Sequence, residues 1–353
     1  MKVLVLDDGN RGNLMQALGI AGYLPADISV VRVKMRGPSY KLPGRAGAYP
    51  AAAKIAGLLF CLGQQRCAEA TLSFFLADRK FLNGSKCDLI ISAGSVLAPL
   101  NLALAKRQKA KAICVMTPEC VPLRYFDLLI VPEHDLKRHP KLLKLQNVFV
   151  TLGAPNGINP GMLKDRARDL EKIAPAPDGK RKVGVLIGGD DQNYSIDRRW
   201  IDDLVDALLL NENNVYYLTT SRRTSKPAIA QLIKRTESNP MFVYREFPGQ
   251  SKYSYYHGIL GLSDILCVTE DSVNMVSEAC SSGKPVVVLG VKRKKASLVF
   301  DETILRLVDS GYCRFLSASR FPELQSFLED AKNPAGILNE AERCAHKILT
   351  ILK

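Results

Sequence analysis

Residues 268–289 read Val268-Thr-Glu-Asp-Ser-Val-Asn-Met-Val-Ser-Glu-Ala-Cys-Ser-Ser-Gly-Lys-Pro-Val-Val-Val-Leu289 and carry the densest chemistry of the chain. Glu270, Asp271 and Ser272 stand where a helix begins, which suits N-capping. Val273, Met275, Val276 and Ala279 form the apolar face of a short helix that also carries Ser277 and Glu278. Gly283 stops that helix, and Pro285 precedes a buried strand, Val286–Leu289. A polar loop opening into a helix N-terminus is a ready anion site. Leu218-Thr-Thr-Ser-Arg-Arg-Thr224 is the second strong signal: four hydroxyls and two guanidiniums follow an apolar strand. Thr220, Ser221 and Arg222 suit phosphate oxygens, which Arg binds bidentately; the plain alternative is a polar loop before a helix. Gly188 and Gly189, followed by Asp190, close another strand in the same manner.

The first half of the chain repeats the design with different residues. Its first strand ends in Asp7-Asp8-Gly9-Asn10-Arg11-Gly12-Asn13, where glycines let backbone approach a phosphate or a sugar. The pattern is not G-x-G-x-x-G, and a dinucleotide site is not expected. Gly94 and Ser95 follow another strand and face the same cleft, since ligands of such sheets bind at strand carboxyl ends. Glu133, His134 and Asp135 follow a third, either as an acid/base cluster or as a solvated loop. The four histidines, His134, His139, His257 and His346, lack metal-ligand spacing, so no metal site is expected.

These residues need a scaffold that presents strand ends, and the periodicity supplies one. Strands are expected at 3–6, 28–33, 89–92, 112–116, 128–131 and 148–151, with helices at 12–24 and 98–109 between them. A second alternation has strands at 183–187, 215–219, 242–244, 265–269 and 286–289, helices at 199–210 and 228–236, and closing helices from Phe321 to Leu352. This βαβ rhythm predicts an α/β fold with two Rossmann-like, doubly wound domains facing a cleft. The expected boundaries are 1–160 for the first domain, 161–182 for a linker, and 183–353 for the second, its last helices able to cross back. Lys292-Arg-Lys-Lys295 reads as a solvated loop in preference to a headgroup site.

The chain has 353 residues, with hydrophobic content of 47% and charged content of 24%, which excludes disorder. Nine cysteines without a Cys-x-x-Cys pair read as reduced core residues of a cytosolic protein. The longest apolar run, Ile55 to Gly63, is far short of the roughly 20 residues a spanning helix needs. The net charge of +14 is uneven: residues 1–160 hold 21 Lys and Arg against 10 Asp and Glu. A basic first half implies an anionic partner, and no specific nucleic-acid signal accompanies it. Residues 51–60, amid Lys41, Arg45, Lys54 and Arg66, read either as a core helix or as an amphipathic helix held on acidic lipid.

In order along the chain, several motifs resemble the mitochondrial fission "elongated mitochondria" family of glycosyltransferases assigned from sequence. They are Asp8-Gly9…Gly12…Gln16…Gly19-Ile-Ala21, Ala98-Pro99, Phe126-Asp127-Leu…Val131-Pro-Glu-His-Asp135 and Thr151-Leu-Gly153-Ala154. Leu186-Ile-Gly-Gly189, Thr219-Thr-Ser-Arg-Arg-Thr224 and Asp271-Ser-Val-Asn-Met-Val-Ser-Glu278…Gly283-Lys-Pro285 complete the set. The family in turn is similar to GT-B glycosyltransferases, notably the enzyme that adds N-acetylglucosamine to a lipid-linked peptidoglycan precursor. The resemblance implies a nucleoside-diphosphate sugar as substrate, no cofactor, and no metal. It places the donor on the second domain and a lipid-linked or glycan acceptor on the first, at the inner face of the cytoplasmic membrane. Glu278 would bind ribose, Ser272 would meet the diphosphate, and Thr220, Ser221 and Arg222 would line the nucleotide side. Acid/base work would fall to Asp7, Asp8, Glu133 or His134. The family's first loop usually carries His where this chain has Asn13, and often Pro where it has Asp190. Asparagine is no general base, so a non-catalytic scaffold stays open beside a transferase, as does a nucleotide-sugar epimerase.

Overall fold

Runs of β-branched and aliphatic residues form the strands, and short polar caps set the helices between them. The computed structural model describes residues 1–34, 55–60, 62–74, 76, 86–119, 121–249, 253–295 and 301–352. Two compact units result: Met1–Gly157 with Asn339–Lys353, and Ile158–Leu338.

In the first unit, β1 (Lys2–Asp7), β2 (Asp27–Arg32), β3 (Leu89–Ala93), β4 (Lys111–Val115), β5 (Leu128–Pro132) and β6 (Val148–Thr151) form one parallel sheet in the order β2-β1-β3-β4-β5-β6. Sequence reading places these strands within a residue or two at each end. Buried Val3, Val5, Ile91 and Ile113 pack against Ala17 and Ile20 of the helix Arg11–Ala21. The same cluster takes in Ala341, Cys344, Ala345 and Ile348 from the last helix, Glu340–Leu352. Buried Glu340 accepts from the Leu152 amide at 3.1 Å and pairs with Arg343 at 2.7 Å. The far end of the chain thus completes the core of its beginning. On the other face, Asn101 of the helix Ala98–Gln108 donates to Ser92 Oγ at 2.9 Å and the Ile113 carbonyl at 2.7 Å, tying β3 to β4.

The second unit is built from β7 (Arg181–Ile187), β9 (Asn214–Thr220), β10 (Tyr244–Glu246), β11 (Ile265–Thr269), β12 (Val286–Leu289) and β14 (Arg314–Leu316), in the order β10-β9-β7-β11-β12-β14. A two-residue antiparallel pair, β8 (Tyr194–Ser195) with β13 (Lys292–Arg293), stands beside it. Asp197 and Ser225 cap the helices Arg198–Leu208 and Lys226–Thr236 through the Trp200 and Ala228 amides. Residues 161–182, read as a linker, hold most of the helix Pro160–Ile173 and the first residues of β7. That helix packs so closely on the helix Tyr256–Leu262 that a Cβ on Gly261 would lie 2.3 Å from the Leu163 carbonyl oxygen.

Three expectations on local structure are corrected. The strand expected at 242–244 begins at Tyr244, because the Phe242 amide is bonded within a turn to the Asn239 carbonyl at 3.1 Å. Lys292 and Arg293 form β13 instead of a free loop, since Arg293 pairs with buried Glu270. Arg314–Leu316 adds an edge strand that the sequence reading lacked. Of the segment 51–60, residues 51–54 lie outside the described residues, as do Lys41 and Arg45. Residues 55–60 are helical, with Ala56 and Phe60 buried while Ile55 is 53% and Leu58 61% exposed.

Candidate functional site

Each sheet reverses its direction of strand addition beside its first strand, between β1 and β3 in one unit and between β7 and β11 in the other. Such switch points open a crevice at the strand carboxyl ends, and both glycine loops sit there.

In the first unit the loop after β1 satisfies itself. The Gly9 amide donates to Asp7 Oδ1 at 2.7 Å, the Asn10 amide to Asp8 Oδ1 at 2.8 Å, and the Gly12 amide to Asn10 Oδ1 at 2.9 Å. Arg32 pairs with Asp7 at 2.8 Å and covers Gly9, whose φ of +91° suits glycine alone. These three amides are spent, and two buried carboxylates stand where a phosphate would need positive charge. Asn13 donates through Nδ2 to Asp8 Oδ2 at 2.9 Å, and a Cβ on Gly94 would lie 3.1 Å from the same nitrogen. Asp8, Asn13 and Gly94 therefore form one cluster. Ser95 Oγ accepts from the Glu119 amide at 3.0 Å.

Farther along the same sheet edge, His134 is buried at the start of a short helix after β5, with its Nε2 3.6 Å from Asp135 Oδ1. Thr117 donates to Asp135 Oδ2 at 2.6 Å. Thr117 follows Met116, whose φ of +68° is unusual for a side chain of that size. Glu133 is half-buried beside them, its amide bonded to the Thr151 carbonyl at 3.0 Å.

The second unit's switch point is organised by Asp271, whose side chain is fully buried. It accepts from Thr269 Oγ1 at 2.6 Å, from the Gly189 amide at 2.8 Å and from Arg223 Nη2 at 2.8 Å. Burial pushes its carboxyl pKa up, against the pull of those three donors. The Gly188 amide goes to Thr269 Oγ1 at 2.7 Å, and Thr224 Oγ1 donates to the Gly188 carbonyl. Both glycines are required by crowding: a Cβ would stand 2.1 Å from Asp271 Oδ1 at Gly188 and 2.2 Å from the Arg223 carbonyl carbon at Gly189. Gly188, Gly189 and Asp271 thus brace the loop, with their amides and carboxylate oxygens engaged. Asp190 anchors the next turn by accepting from the Ile196 amide at 2.7 Å.

What remains open to an anion is the N-terminus of the helix Val273–Ser281. Ser272 is its N-cap and makes no side-chain capping bond, and the amides of a first helical turn have no carbonyl partner within their own helix. Gly283, at φ +72°, ends the helix as expected. Ser277 is buried on its inner side, while half-buried Glu278 accepts from Tyr256 Oη at 2.6 Å. Burial and the adjoining Glu278 carboxylate push the Tyr256 pKa well up, so its hydroxyl stays a donor. The turn after β9 places Ser221 Oγ under the Arg223 amide at 3.1 Å and leaves Arg222 exposed. Thr220 Oγ1 is buried with no hydrogen-bond partner among the described residues.

Sequence reasoning missed Tyr256 and Thr117, and it singled out Arg222, while Arg223 is the neighbour that reaches Asp271. The adjacency of two arginines gave no signal to separate them; Tyr256 was signalled only by aromatic density near 253–256.

No helix among the described residues is long and apolar enough to cross a membrane, and no group of His, Cys, Asp and Glu among them could hold a metal ion. Over 99% of both chains the fold is similar to the UDP-GlcNAc 2-epimerase of Methanocaldococcus jannaschii, at 15% identity and a TM-score of 0.57. It is likewise similar to the Neisseria meningitidis UDP-GlcNAc 2-epimerase bound to UDP-GlcNAc, at 15% identity over 100% of this chain and 99% of that one, with a TM-score of 0.56. MurG of Acinetobacter baumannii matches at 12% identity over 99% and 98% of the two chains, with a TM-score of 0.50. The fold is therefore of the GT-B type that glycosyltransferases and epimerases share. In sequence the chain is 23% identical to the uncharacterized protein RP120 of Rickettsia prowazekii, covering 93% of this chain and 98% of that one. It is 30% identical to the mitochondrial fission protein ELM1 of Arabidopsis thaliana over 52% of this chain and 47% of that one. The profile of the mitochondrial fission ELM1 family matches residues 11–352, and with the shared loops and helix now placed at the two switch points, the chain belongs to that family.

Proposed function

We propose that the protein is a metal-independent glycosyltransferase that moves a sugar from a nucleoside-diphosphate sugar to a lipid-linked or cell-surface glycan acceptor. The observation that carries this reading is the uncapped N-terminus of the helix Val273–Ser281 at the second unit's switch point, with Glu278 oriented by Tyr256 one turn deeper. Helix-end amides stabilise a diphosphate both bound and as leaving group, and a carboxylate fixed by a tyrosine suits ribose hydroxyls. The first unit's acidic loop suits a hydroxyl acceptor, with Asp8 as its acid/base group. Calorimetric titration with UDP-, GDP-, dTDP- and CMP-sugars tests the reading. One of them is expected to bind, and Glu278→Ala to weaken it about tenfold or more, since a hydrogen bond to a charged group contributes about 1.5–3 kcal/mol. Tyr256→Phe should cost less. Binding to none, or binding indifferent to Glu278, sinks the reading.

A second reading, a nucleotide-sugar epimerase, is favoured by the Thr117–Asp135–His134 cluster, which would supply acid/base groups without an acceptor. Release of a C2-inverted UDP-sugar in the absence of acceptor separates it from transfer. A protein that binds nucleotide yet turns over no donor, even hydrolytically, would be a scaffold, in keeping with a family named for mitochondrial fission.

The same reading places the protein in the cytoplasm, peripheral to a membrane. The basic first 160 residues and exposed Ile55, Leu58 and Leu62 support contact with an anionic surface. Co-sedimentation with vesicles containing phosphatidylglycerol, but not with purely zwitterionic ones, is expected in low salt; equal pelleting with both removes the electrostatic component, and none with either removes the membrane.

A further inference from the structure

Asp271 poses an electrostatic problem for the site just proposed. It is a buried carboxylate immediately before the helix end that a diphosphate would approach, and like charges that close oppose binding. Thr269 and Gly189 satisfy its oxygens without neutralising it. Arg223 alone among its hydrogen-bond partners brings charge, through one short contact from Nη2. The rest of that guanidinium is loosely held. Nη1 lies 3.5 Å from Asp191 Oδ2 and 3.5 Å from the Gly189 carbonyl oxygen, and Nη2 reaches the Asp271 carbonyl at 3.4 Å. The side chain is 41% exposed. A planar guanidinium with one nitrogen fixed on a buried carboxylate, its other contacts long and its side chain part exposed, has donor capacity left for phosphate oxygens.

We infer that Arg223 is the residue that makes this site select phosphate-bearing ligands over neutral ones, contacting the phosphate directly while its other edge cancels Asp271. The inference rests on the nucleotide-sugar reading and names the side chain that reads the diphosphate. It also separates two neighbours: Arg223, which reaches Asp271, acts in the site, and Arg222 does not.

The test titrates UDP, uridine and inorganic pyrophosphate into wild-type protein, Arg223→Ala, Arg223→Lys, Arg222→Ala and the double variant Arg223→Ala/Asp271→Asn, each checked by thermal melting. Wild-type protein is expected to bind UDP and pyrophosphate. Arg223→Ala should lose at least about tenfold for both, with uridine unchanged, the loss expected for one charge-assisted bidentate contact. Arg223→Lys keeps the charge without the fork and should fall between; it carries the test where the alanine variant fails to fold. UDP binding as strong in Arg223→Ala as in the wild-type protein overturns the inference while leaving the nucleotide reading intact. Full recovery in the double variant also overturns it, because Arg223 would then be only the counter-ion of Asp271. Pyrophosphate binding that depends on Arg223 without any UDP binding upholds the inference and removes the nucleotide reading; binding of neither ligand removes both.

Discussion

Removing residues 339–353 unfolds the first unit and leaves the second folded. The helix Glu340–Leu352 buries Ala341, Cys344, Ala345 and Ile348 against Val3, Val5 and Ile20, and Glu340 with Arg343 closes the chain end onto the Leu152 amide. Trimming Ile348 alone to alanine should cost about 2–5 kcal/mol. Losing the whole helix also strips the sheet face it covers, a loss comparable to the roughly 5–15 kcal/mol that holds an ordinary domain together. The two units can be followed separately because the chain has one tryptophan, Trp200. It lies in the second unit, bonded through Nε1 to the Gly290 carbonyl at 2.9 Å and packed on Phe321. In the truncated chain, urea unfolding by Trp200 fluorescence should keep the wild-type midpoint while far-UV dichroism loses the first unit's share. A shifted Trp200 midpoint, or dichroism at full strength, contradicts this partition.

Gly189→Ala should be strongly damaging to the second unit. The added carbon would lie 2.2 Å from the Arg223 carbonyl carbon and 2.4 Å from the Thr224 nitrogen, both backbone atoms. Overpacking of this kind costs about 1–3 kcal/mol by itself. Here the turn that must yield is the one that carries Arg223, so the 2.8 Å contact to Asp271 goes with it. A buried carboxylate stripped of its partner adds about 3–5 kcal/mol. The expected result is a clear drop in the Trp200 unfolding midpoint, with UDP affinity down by about a hundredfold or more. Gly336→Ala, where an added carbon meets nothing within 4 Å, should change neither. A Gly189→Ala protein with wild-type stability would mean that the loop does not press on the turn.

Much of this was legible before any coordinates, and what was missed follows a pattern. Continuous apolar strands such as Leu89–Ala93 and Ile265–Thr269 announce themselves because both faces of a covered parallel sheet are buried. Glycine loops at strand ends were equally readable, but their meaning was not. Asp7, Asp8 and Asn10 look like ligand-binding groups in a sequence, yet folded they consume the very amides that glycine exposes. Asp271 likewise turns inward as a brace. The choice between Arg222 and Arg223 depends on a turn angle that no spacing encodes. The Tyr256–Glu278 bond joins residues 22 apart on two different helices of the second unit, which meet only once the chain is folded. Asn13, suspected for lacking an imidazole, holds the Asp8 carboxylate in place.

The helix that closes the first unit's core also sets an order of events during synthesis. Residues 158–338 form a unit contiguous in the chain, able to fold as soon as they leave the ribosome. The first unit is made earlier but needs residues 341–348, which follow the whole second unit in the chain. At about 5–20 residues per second, its sheet waits roughly ten seconds or more with one face uncovered. The nascent chain thus matures from its middle outward, and its early half stays incomplete until residues 341–348 have been made.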